Sequence, residues 1–356
     1  MNPFVREQKN GQSVGGMEIE FAKQPERWDR YVESARLGTL YHTWAWREVI
    51  EHSFGHQAFY LTAVRDGTIC GVLPLVRISS RLFGDFLVSL PFCSHGGILA
   101  DNQEAADALL AAAAELAREL RVHHIELRQR TALPTAWHQH SHRVVMEIEL
   151  PATIDDYLRR LSSARRKRIR YLLKHQLRPE WTGLEGVSEF YRIFAVNMRN
   201  LGTPVYPREF FEQQLCRLSD KVRILILRDG SQAVAAGLVS AYRETLELPW
   251  AASLPESRRK EAPTLLYWSL IEKAIEEGFK RLDLGRCVPG SGNYQFKQHW
   301  QPIAKPLNWY YWLAPGTAIR TFGADNPKFR LATALWKRLP LAVANTLGPR
   351  VVRCIP

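Results

Sequence analysis

The sequence predicts an α/β (α+β) protein made of two copies of one unit, each a mixed, mostly antiparallel sheet flanked by helices. The prediction rests on a layout that occurs twice, in residues 58–128 and in residues 222–286. In each copy two apolar runs flank an Asp-Gly pair, first at Asp66 and later at Asp229. Apolar runs on both sides of Asp-Gly are typical of a β-hairpin.

Two later landmarks repeat in the same order. Each copy has a strand that ends in Leu-Pro, at Leu90 and at Leu248, then an Ala/Leu-rich helix and a closing strand. The closing strands lie at residues 124–128 and 281–286. The two hairpin turns are 163 residues apart (66 to 229) and the closing strands are 157 apart (126 to 283). A register held within a few residues over three landmarks indicates an internal duplication.

The duplication divides the chain into a first domain at residues 17–150 and a second at residues 151–315. A length of 356 residues is enough for two separate cores. Residues 1–16 are polar and contain glycine, so they are expected to be a flexible leader and not a secretory signal. Met17 is an alternative start. Residues 316–356 are expected to form a basic amphipathic tail.

Composition narrows the possible classes of protein. A hydrophobic content of 46%, with no run of about 20 apolar residues, is typical of a soluble protein without a membrane span. The five cysteines are scattered and show neither metal-ligand spacing nor a disulfide framework, which favours a reducing cytoplasm and no metal. A net charge of +12 favours anionic partners.

A cation-rich segment runs from residue 156 to residue 178. It holds nine cations against the single acid Asp156, with leucines at near-helical spacing, and is predicted to be a basic helix. Arg166 and Arg170 are candidates for binding donor phosphates. A solvated helix face remains the alternative. Tyr171 is the one aromatic side chain interleaved with the cations at 159–178, so base stacking is not indicated and no DNA partner is expected.

The strongest candidate site follows the second closing strand. Asp283 and Arg286 end that strand, and a glycine-rich loop then leads to Tyr294 and Lys297. Strand ends followed by such loops are where α/β proteins present groups to ligands. These four polar side chains favour a functional site, whereas the aromatic residues at 296 and 300 are expected to be core.

Further residues are predicted to line a cleft between the domains and to contact substrate. In the first unit, glycines that follow the Leu-Pro motif predict a sharp turn or backbone close to a ligand. A short helix before the first hairpin and its second-unit counterpart supply the rest, although tryptophans there are more typical of core. The candidates are His42, Trp46, Phe92, Gly96, Gly97, Arg199 and Tyr206.

Taken together, these features resemble Fem-type proteins. The resemblance rests on two fused α/β units with the segments at 163–170, 200–204 and 283–300, and covers roughly residue 41 to the end. More narrowly, the chain resembles the FemAB-related group associated with exosortase/PEP-CTERM and exopolysaccharide loci. The resemblance implies tandem GNAT-like domains that move an acyl or aminoacyl group from an activated carrier to an amine. Fem ligases use aminoacyl-tRNA and a peptidoglycan precursor; here an envelope or polysaccharide intermediate is implied.

One segment departs from the acetyl-CoA-using GNAT pattern. Those enzymes have an Arg/Gln-x-x-Gly-x-Gly/Ala loop whose amides bind the pyrophosphate at a helix N-terminus. The matching residues 254–263 contain no glycine, so the motif does not support coenzyme A. Arg258, Arg259 and Lys260 are nevertheless candidates for donor phosphates. Aminoacyl-tRNA and acyl-CoA therefore both remain possible donors.

Aminolysis needs a way to remove a proton from the amine and donors for the developing oxyanion. Asp283 is predicted to be the base or to orient the acceptor. Tyr294 and Lys297 are predicted to stabilise the oxyanion or donor phosphate, and Arg286 to hold an anionic substrate. A structural Asp283–Arg286 ion pair is the alternative at this strand end. The competing function is a non-catalytic module that binds RNA, anionic polysaccharide or the membrane face.

The C-terminal tail predicts where the protein works. Beyond Pro327 it has six Lys or Arg residues and no acid, interleaved with leucines and Trp336. Such a segment suits the anionic cytoplasmic face of a membrane. Pro340 predicts two short helices instead of one. The expectation is a cytoplasmic protein with peripheral membrane contact, and the alternative is a tail packed on the second domain.

Overall fold

The computed structural model describes residues 12–355 apart from 15, 82, 141, 175–176 and 319–326. Residues 1–11 and residue 15 of the expected leader therefore lie outside the described residues, as does part of the predicted tail.

The first sheet contains nine strands among the described residues, in the order β1-β2-β3-β4-β5-β7-β16-β8 with β6 paired to β4. They are β1 (Gln12–Val14), β2 (Met17–Phe21), β3 (Gln57–Arg65), β4 (Thr68–Ser80), β5 (Gly84–Val88), β6 (Leu99–Ala100), β7 (His124–Gln129), β8 (His138–Gln139) and β16 (Asn308–Leu313).

The second sheet contains seven strands in the described part of the chain, in the order β10-β11-β12-β13-β14-β9-β15. They are β9 (Val144–Glu149), β10 (Leu177–Thr182), β11 (Val222–Asp229), β12 (Gln232–Tyr242), β13 (Thr245–Ser253), β14 (Arg281–Cys287) and β15 (Ile303–Pro306).

Helices flank both sheets. They are α1 (Pro25–Ser34), α2 (Trp44–Phe54), α3 (Gln103–Glu119), α4 (Ile154–Arg160), α5 (Ser163–Leu173), α6 (Val187–Leu201), α7 (Arg208–Arg217), α8 (Ala262–Glu276), α9 (Gly292–Gln298), α10 (Pro327–Trp336) and α11 (Leu341–Val352). Short 3-10 helices occupy Leu40–His42, Leu184–Gly186 and Pro255–Lys260.

The duplicated layout is present in both sheets. The β3-β4 and β11-β12 pairs are antiparallel hairpins that turn at the two Asp-Gly pairs, where Gly67 and Gly230 have positive φ angles of 74° and 60°. Each hairpin is followed by a parallel pair, β5 with β7 and β13 with β14. The predicted fold class, two mixed sheets flanked by helices, is confirmed.

The domains exchange one strand each. β9 precedes the second domain's helices but pairs with β14 and β15 in the second sheet. Conversely, β16 follows the second domain's elements but pairs with β7 in the first sheet. The predicted boundary at residues 150 and 151 thus follows β9, and the sheets do not divide at one point of the chain. The exchange ties each sheet to the other half of the sequence.

A shared apolar core joins the two domains. Helices α1 and α2 of the first domain pack with α6 and α7 of the second in one continuous cluster, which includes the fully buried Trp28, Trp46, Phe190 and Phe210. Aromatic side chains bury roughly 150–250 Å² each. The two domains therefore form one packed body, which fixes the geometry of a cleft between them.

The basic segment is not the single helix that the sequence predicts. It forms α4 and α5, separated at Leu161 and Ser162, and its last cation, Arg178, lies on β10. The Ser162 hydroxyl accepts a hydrogen bond from the Arg165 N–H and begins the second helix. The Arg166 guanidinium donates to the carbonyl of Leu158, which belongs to the last turn of α4. The break therefore comes from local capping.

The tail forms two helices on either side of Pro340, as the sequence predicts. α11 packs on α6 and buries Ala344, Gly348 and Val352. A Cβ at Gly348 would lie 2.8 Å from the nitrogen of Val205, which follows α6, so the close approach of α11 to that segment requires glycine. None of the helices in the described ranges is long and apolar enough to cross a membrane.

Candidate active site between two diverging strands

The two central strands of the second sheet separate at a defined point. β13 and β14 pair over three positions, and the last is Glu247 opposite Asp283. Beyond it β13 bulges, because Leu248 and Pro249 together lie opposite one residue of β12. β14 bulges at the same level against β9, where Gly285 has a φ of 78°. Because a bulge bends its strand, two bulges at one level open a gap in the sheet.

A cavity of 160 Å³ lies in this gap. We call it the gap cavity. Its walls come from both diverging strands, from α8 and α9, and from the first domain. The lining residues are Tyr41, Phe92, Cys93, Ser94, Tyr206, Leu248, Pro249, Trp250, Ala251, Tyr267, Leu284, Gly285, Arg286, Asn293 and Lys297.

Lys297 closes the β14 side of the gap cavity. Its Nζ donates to the carbonyl oxygens of Gly285 (3.0 Å) and Arg286 (3.2 Å), beyond the last paired position of β13 and β14. The Ser291 hydroxyl begins α9 by accepting from the Tyr294 N–H, and α9 carries Lys297 back over the strand. The side chain is 3% exposed, and burial lowers the pKa of its ammonium group.

Arg286 and Tyr206 face the same cavity. The Arg286 guanidinium donates to the Cys93 carbonyl at 3.2 Å, which ties β14 to the first domain. Burial, with Arg128 and Arg143 nearby, lowers the pKa of Arg286 to about 10. Burial also raises the pKa of the Tyr206 phenol. With Phe92, the structure brings four predicted site residues to one cavity.

A second cavity of 480 Å³ lies on the other side of the strand pair. We call it the acid cavity, because Glu247, Asp283 and Glu147 occupy matching positions on β13, β14 and β9. Glu147 is paired with Arg130 and Lys305. A third cavity, of 510 Å³ beside β2 and α1, contains none of the predicted site residues.

The two acids at the divergence point differ in their contacts. Asp283, 1% exposed, accepts a hydrogen bond from the Gly285 N–H at 2.7 Å. Among the described residues, Glu247 Oε1 has no partner within hydrogen-bonding distance. Burial and the adjacent Asp283 raise the pKa of Glu247 to about 8, although Tyr41 and Arg130 partly oppose the shift. Burial raises the pKa of Asp283 as well.

Sequence reasoning missed Glu247. The available signal was a single acid between Leu246 and Leu248 in a mainly apolar strand. Its partner Asp283 is 36 residues away (247 to 283), on the far side of α8, so only the parallel pairing of β13 with β14 brings the two together.

Tyr41 lies between the two cavities. It lines the gap cavity, and its hydroxyl interacts with the Glu247 carboxyl in the acid cavity. Burial and Glu247 raise the pKa of this phenol well above its ordinary value. The phenol therefore keeps its proton and can connect the two cavities.

The first domain lacks the same arrangement. Val88 of β5 pairs with Glu126 of β7, in the place where the second domain has Glu247 opposite Asp283. The Ser89 hydroxyl then accepts from the Arg128 N–H at 2.8 Å and holds the two strands together. In the described residues the first domain thus has one acid at this position instead of two, and it contributes walls to the gap cavity.

Several predicted contacts of the first domain hold its own loop in place. His42 Nε2 lies 3.1 Å from the Gly97 carbonyl oxygen, and burial lowers its pKa to about 4. A Cβ at Gly97 would lie 1.8 Å from Gln129 Oε1, and one at Gly96 would contact Leu90. The close approach that these glycines permit is to the protein itself. Contact with a substrate stays a prediction for them.

Other predicted residues lie away from both cavities. Trp46 is fully buried in the shared core. Tyr294 packs against the second domain's core and lines neither cavity. Arg199, in the last turn of α6, also lines neither one. Their assignment to substrate or catalysis remains a prediction without a geometric argument from the described residues.

The predicted donor-phosphate residues divide into two groups. Arg258, Arg259 and Lys260 are exposed on the 3-10 helix before α8, and the last two line a cavity of 300 Å³ with Arg168. Glu261 follows with a φ of 52° and makes no side-chain cap to α8. By contrast, Arg166 binds carbonyl oxygens at the end of α4, and Arg170 is exposed on α5 outside this cavity.

Residues 159–298 match the family model described as an acetyltransferase (GNAT) domain. No curated protein sequence matches the chain. Among solved structures, FemX is similar with a TM-score of 0.64 at 14% identity, over 81% of this chain and 96% of that one.

Two further structures cover both domains. L-PGS from Bacillus licheniformis gives a TM-score of 0.55 at 12% identity, over 89% of this chain and 98% of the other. A tandem GNAT protein from the clavulanic acid biosynthesis pathway gives 0.53 at 12% identity, over 85% and 100%. At such identities the likeness concerns the fold. The chain is a tandem GNAT-fold protein whose second domain matches the GNAT acetyltransferase model.

Proposed function

We propose that this protein is a GNAT-fold transferase that moves an acyl or aminoacyl group from an activated carrier to an amine. The observation that carries the proposal is the pair Glu247 and Asp283 at the point where β13 and β14 diverge. The pair includes a carboxyl group with a pKa of about 8, at the level of the sheet where the gap cavity begins. A base works best when its pKa lies near the working pH.

In this mechanism the neutral form of the acceptor amine binds in the acid cavity, after its ammonium proton has passed to solvent. An amine with a pKa of about 8 to 10 is only partly in this form near neutral pH. The amine nitrogen attacks the carbonyl carbon held in the gap cavity, and Glu247 removes the proton that this nitrogen loses as it becomes an amide. The N–C bond forms, the C–O or C–S bond to the carrier breaks, and the proton on Glu247 passes to the leaving group. Tyr41 bridges the two cavities during this transfer.

Lys297 is proposed to stabilise the oxyanion. An ammonium group has three donors, and two of them bind the carbonyls of β14. The third is available to the gap cavity. Asp283 is assigned a positioning role in place of the base role predicted from sequence, because its Oδ1 is engaged by the Gly285 N–H. Its charge keeps the pKa of Glu247 high.

The donor is proposed to bring its phosphates to Arg258, Arg259 and Lys260, at the N-terminal end of α8. Helix N-termini with nearby cations favour anions. Both aminoacyl-tRNA and acyl-CoA satisfy this requirement. The exposed cations of α5, Lys167 and Arg170, extend the positive surface and favour the larger polyanion.

The acceptor is proposed to be a cell-envelope or exopolysaccharide precursor, in a cytoplasmic setting of the exosortase/PEP-CTERM type that the Fem resemblance implies. The exposed side chains of α10 and α11 support work at a membrane face. Leu331 and Leu335 are 64% and 57% exposed, and the two helices contain no acid. Peripheral contact with anionic lipid would bring the enzyme to a lipid-linked acceptor.

The test begins with mass spectrometry of ligands retained by the purified protein. Transfer from charged tRNA and from acyl-CoA to amine-bearing envelope precursors is then assayed in parallel. Glu247→Gln is expected to lose transfer, and Glu209→Gln, an exposed acid on α7, is the matched control. Equal turnover by the two variants would refute the role of Glu247.

A non-catalytic binding module is the alternative, and the basic surface supports it. Replacing Lys297 separates the two functions. In an enzyme the change abolishes turnover, whereas a module that binds through α5 retains its affinity for polyanions. Arg165 stacks over Trp300 and Arg168 pairs with Glu261, so part of the α5 charge is already engaged within the domain. This favours the enzyme.

A further inference from the structure

Three arginines converge on one tryptophan beside the gap cavity. The guanidinium carbons of Arg128, Arg143 and Arg286 lie 4.6, 5.7 and 5.8 Å from the ring centre of Trp309. These residues come from β7, the segment before β9, and β14, while Trp309 lies on β16. The cluster therefore depends on the exchanged strand β16 and on the segment that leads into the exchanged strand β9.

The cluster holds more positive than negative charge. Glu126 is its carboxylate: one oxygen accepts from Arg128 Nε at 2.7 Å and the other from the Tyr311 hydroxyl at 3.2 Å. Arg128 and Arg286 each donate another hydrogen bond to the Cys93 carbonyl. In the described part of the chain, Arg143 Nε is buried without a hydrogen-bond partner. Buried guanidinium groups in excess of carboxylates are costly without an anion.

Arg286 extends the excess of positive charge in the arginine cluster into the gap cavity. Two cations, Arg286 and Lys297, line that cavity, and its lining includes no Asp or Glu. The nearby Asp283 lines the acid cavity instead. The acid cavity combines three acids with five cations, which are Arg36, Arg130, Arg243, Arg281 and Lys305. Because the lining of the gap cavity has cations and no acid, the gap cavity suits an anion.

We infer that the gap cavity is a subsite for a carboxylate carried by the transferred group, so that the natural donor bears a dicarboxylic acyl or acidic aminoacyl group. The inference rests on the proposed function, which seats the acyl group between β13 and β14. The cavity of 160 Å³ is of a size for a small group. Apolar walls at Phe92, Leu248 and Trp250 suit its methylene carbons, and the planar fork of Arg286 suits a carboxylate.

Binding can be tested without any transfer reaction. Calorimetry with wild-type protein is carried out with succinate, with the neutral isostere succinamide, and with inorganic phosphate. Succinate is expected to bind at least tenfold more tightly than succinamide. Arg286→Gln should weaken succinate binding about tenfold or more, whereas the control Arg118→Gln, an exposed arginine on α3 outside both cavities, should not. Equal binding of succinate and succinamide would overturn the inference.

Phosphate provides a second discrimination. Tighter binding of phosphate than of succinate, lost in Arg286→Gln, would show a site for the donor's phosphate and would overturn the carboxylate assignment. Arg286→Lys covers the case in which Arg286→Gln does not fold. It keeps the charge and removes the fork, so affinity for succinate should fall while the unfolding temperature stays near that of the wild type. Unchanged affinity in a folded Arg286→Lys protein would contradict the role of the fork.

The two proposals fail separately. Glu247→Gln is expected to bind succinate as the wild type does while losing transfer. Transfer that persists in Glu247→Gln, with succinate binding still dependent on Arg286, would refute the base and leave the anion subsite intact. Transfer of acetyl and succinyl groups at equal efficiency, with transfer lost in Glu247→Gln, would refute the subsite and leave the transferase intact.

Discussion

Glu247 and Asp283 lie directly opposite each other on parallel strands, at the last paired position before those strands diverge. Two buried carboxyl groups this close do not both ionise readily, because each negative charge opposes the other. The folded protein therefore holds a proton on the pair near neutral pH. The gap cavity opens at the same position, so under the proposed function the divergence supplies both the base and the space for the carbonyl substrate.

The first prediction concerns turnover. Glu247→Gln keeps the shape of the side chain and removes the base, so the rate of transfer should fall by about 10²- to 10⁴-fold. The wild-type rate should rise with pH and level off above about 8, the pKa of Glu247. Steady-state kinetics from pH 6 to pH 10 provide the measurement. A variant that retains more than half of the wild-type rate would exclude Glu247 as base.

The second prediction concerns the position of that pH profile. Asp283→Asn removes the neighbouring charge that raises the pKa of Glu247, while Asn can still accept from the Gly285 N–H. The rising limb of the rate profile should therefore move to lower pH, with a smaller loss of maximal rate than in Glu247→Gln. If the rising limb stays at the same pH in Asp283→Asn, burial and not the charge of Asp283 raises the pKa of Glu247.

The third prediction concerns stability. The pKa of Glu247 is raised in the folded protein from its ordinary 4.5 to about 8, so the folded state binds more protons than the unfolded state between these values. The free energy of unfolding should fall as pH rises through this window. Glu247→Gln should remove much of that fall. Urea unfolding at pH 5 and pH 9 measures the fall in the free energy of unfolding. A Glu247→Gln protein that loses as much stability between these pH values as the wild type would contradict the prediction.

The fourth prediction separates two roles of Lys297. Lys297→Met keeps the length of the side chain but leaves the carbonyls of Gly285 and Arg286 without their donor. Stability should fall by about 1–3 kcal/mol, and transfer by a further factor of about 10² to 10³. Lys273→Met, a partly exposed lysine on α8, is the control. Loss of stability with normal transfer would limit Lys297 to a structural role.

The parts of this molecule that could be predicted from sequence are those with local causes. Asp-Gly turns determine both hairpins, and Pro340 separates the tail helices, because turn and proline chemistry acts over a few residues. The break between α4 and α5 was also local, at the Ser162 cap, but the run of cations obscured it. The exchange of β9 and β16 has no local signal, because their partners lie in distant parts of the chain.

The candidate site divides in the same way. Arg286 and Lys297 belong to one strand-loop-helix segment, so sequence placed them together, and both line the gap cavity. Glu247 was missed because its relation to Asp283 depends on parallel pairing. Tyr294 was included because it lies near Lys297 in sequence. On α9, however, it packs toward the core of the second domain.

The fifth prediction concerns the exposed face of the tail. Leu331 and Leu335 lie one turn apart on α10, and the chain beyond Pro327 carries six cations and no acid. A bilayer with anionic lipid accommodates both features, since apolar side chains insert and each nearby cation adds about 1 kcal/mol. The double variant Leu331→Glu/Leu335→Glu should therefore lose flotation with anionic vesicles, and binding of the wild type should weaken as salt rises.

The matched control for the tail is Leu184→Glu/Leu201→Glu, which alters two leucines of the second domain that are 46% and 55% exposed. Point variants are preferable to deletion, because removing the tail would also take Val352 out of the shared core. If α10 contacts the bilayer, Leu331→Glu/Leu335→Glu abolishes flotation and the control variant does not. A general loss of surface hydrophobicity would instead reduce the flotation of both variants. Equal flotation of both variants, or equal binding of the wild type to neutral and anionic vesicles, would rule out membrane docking through α10.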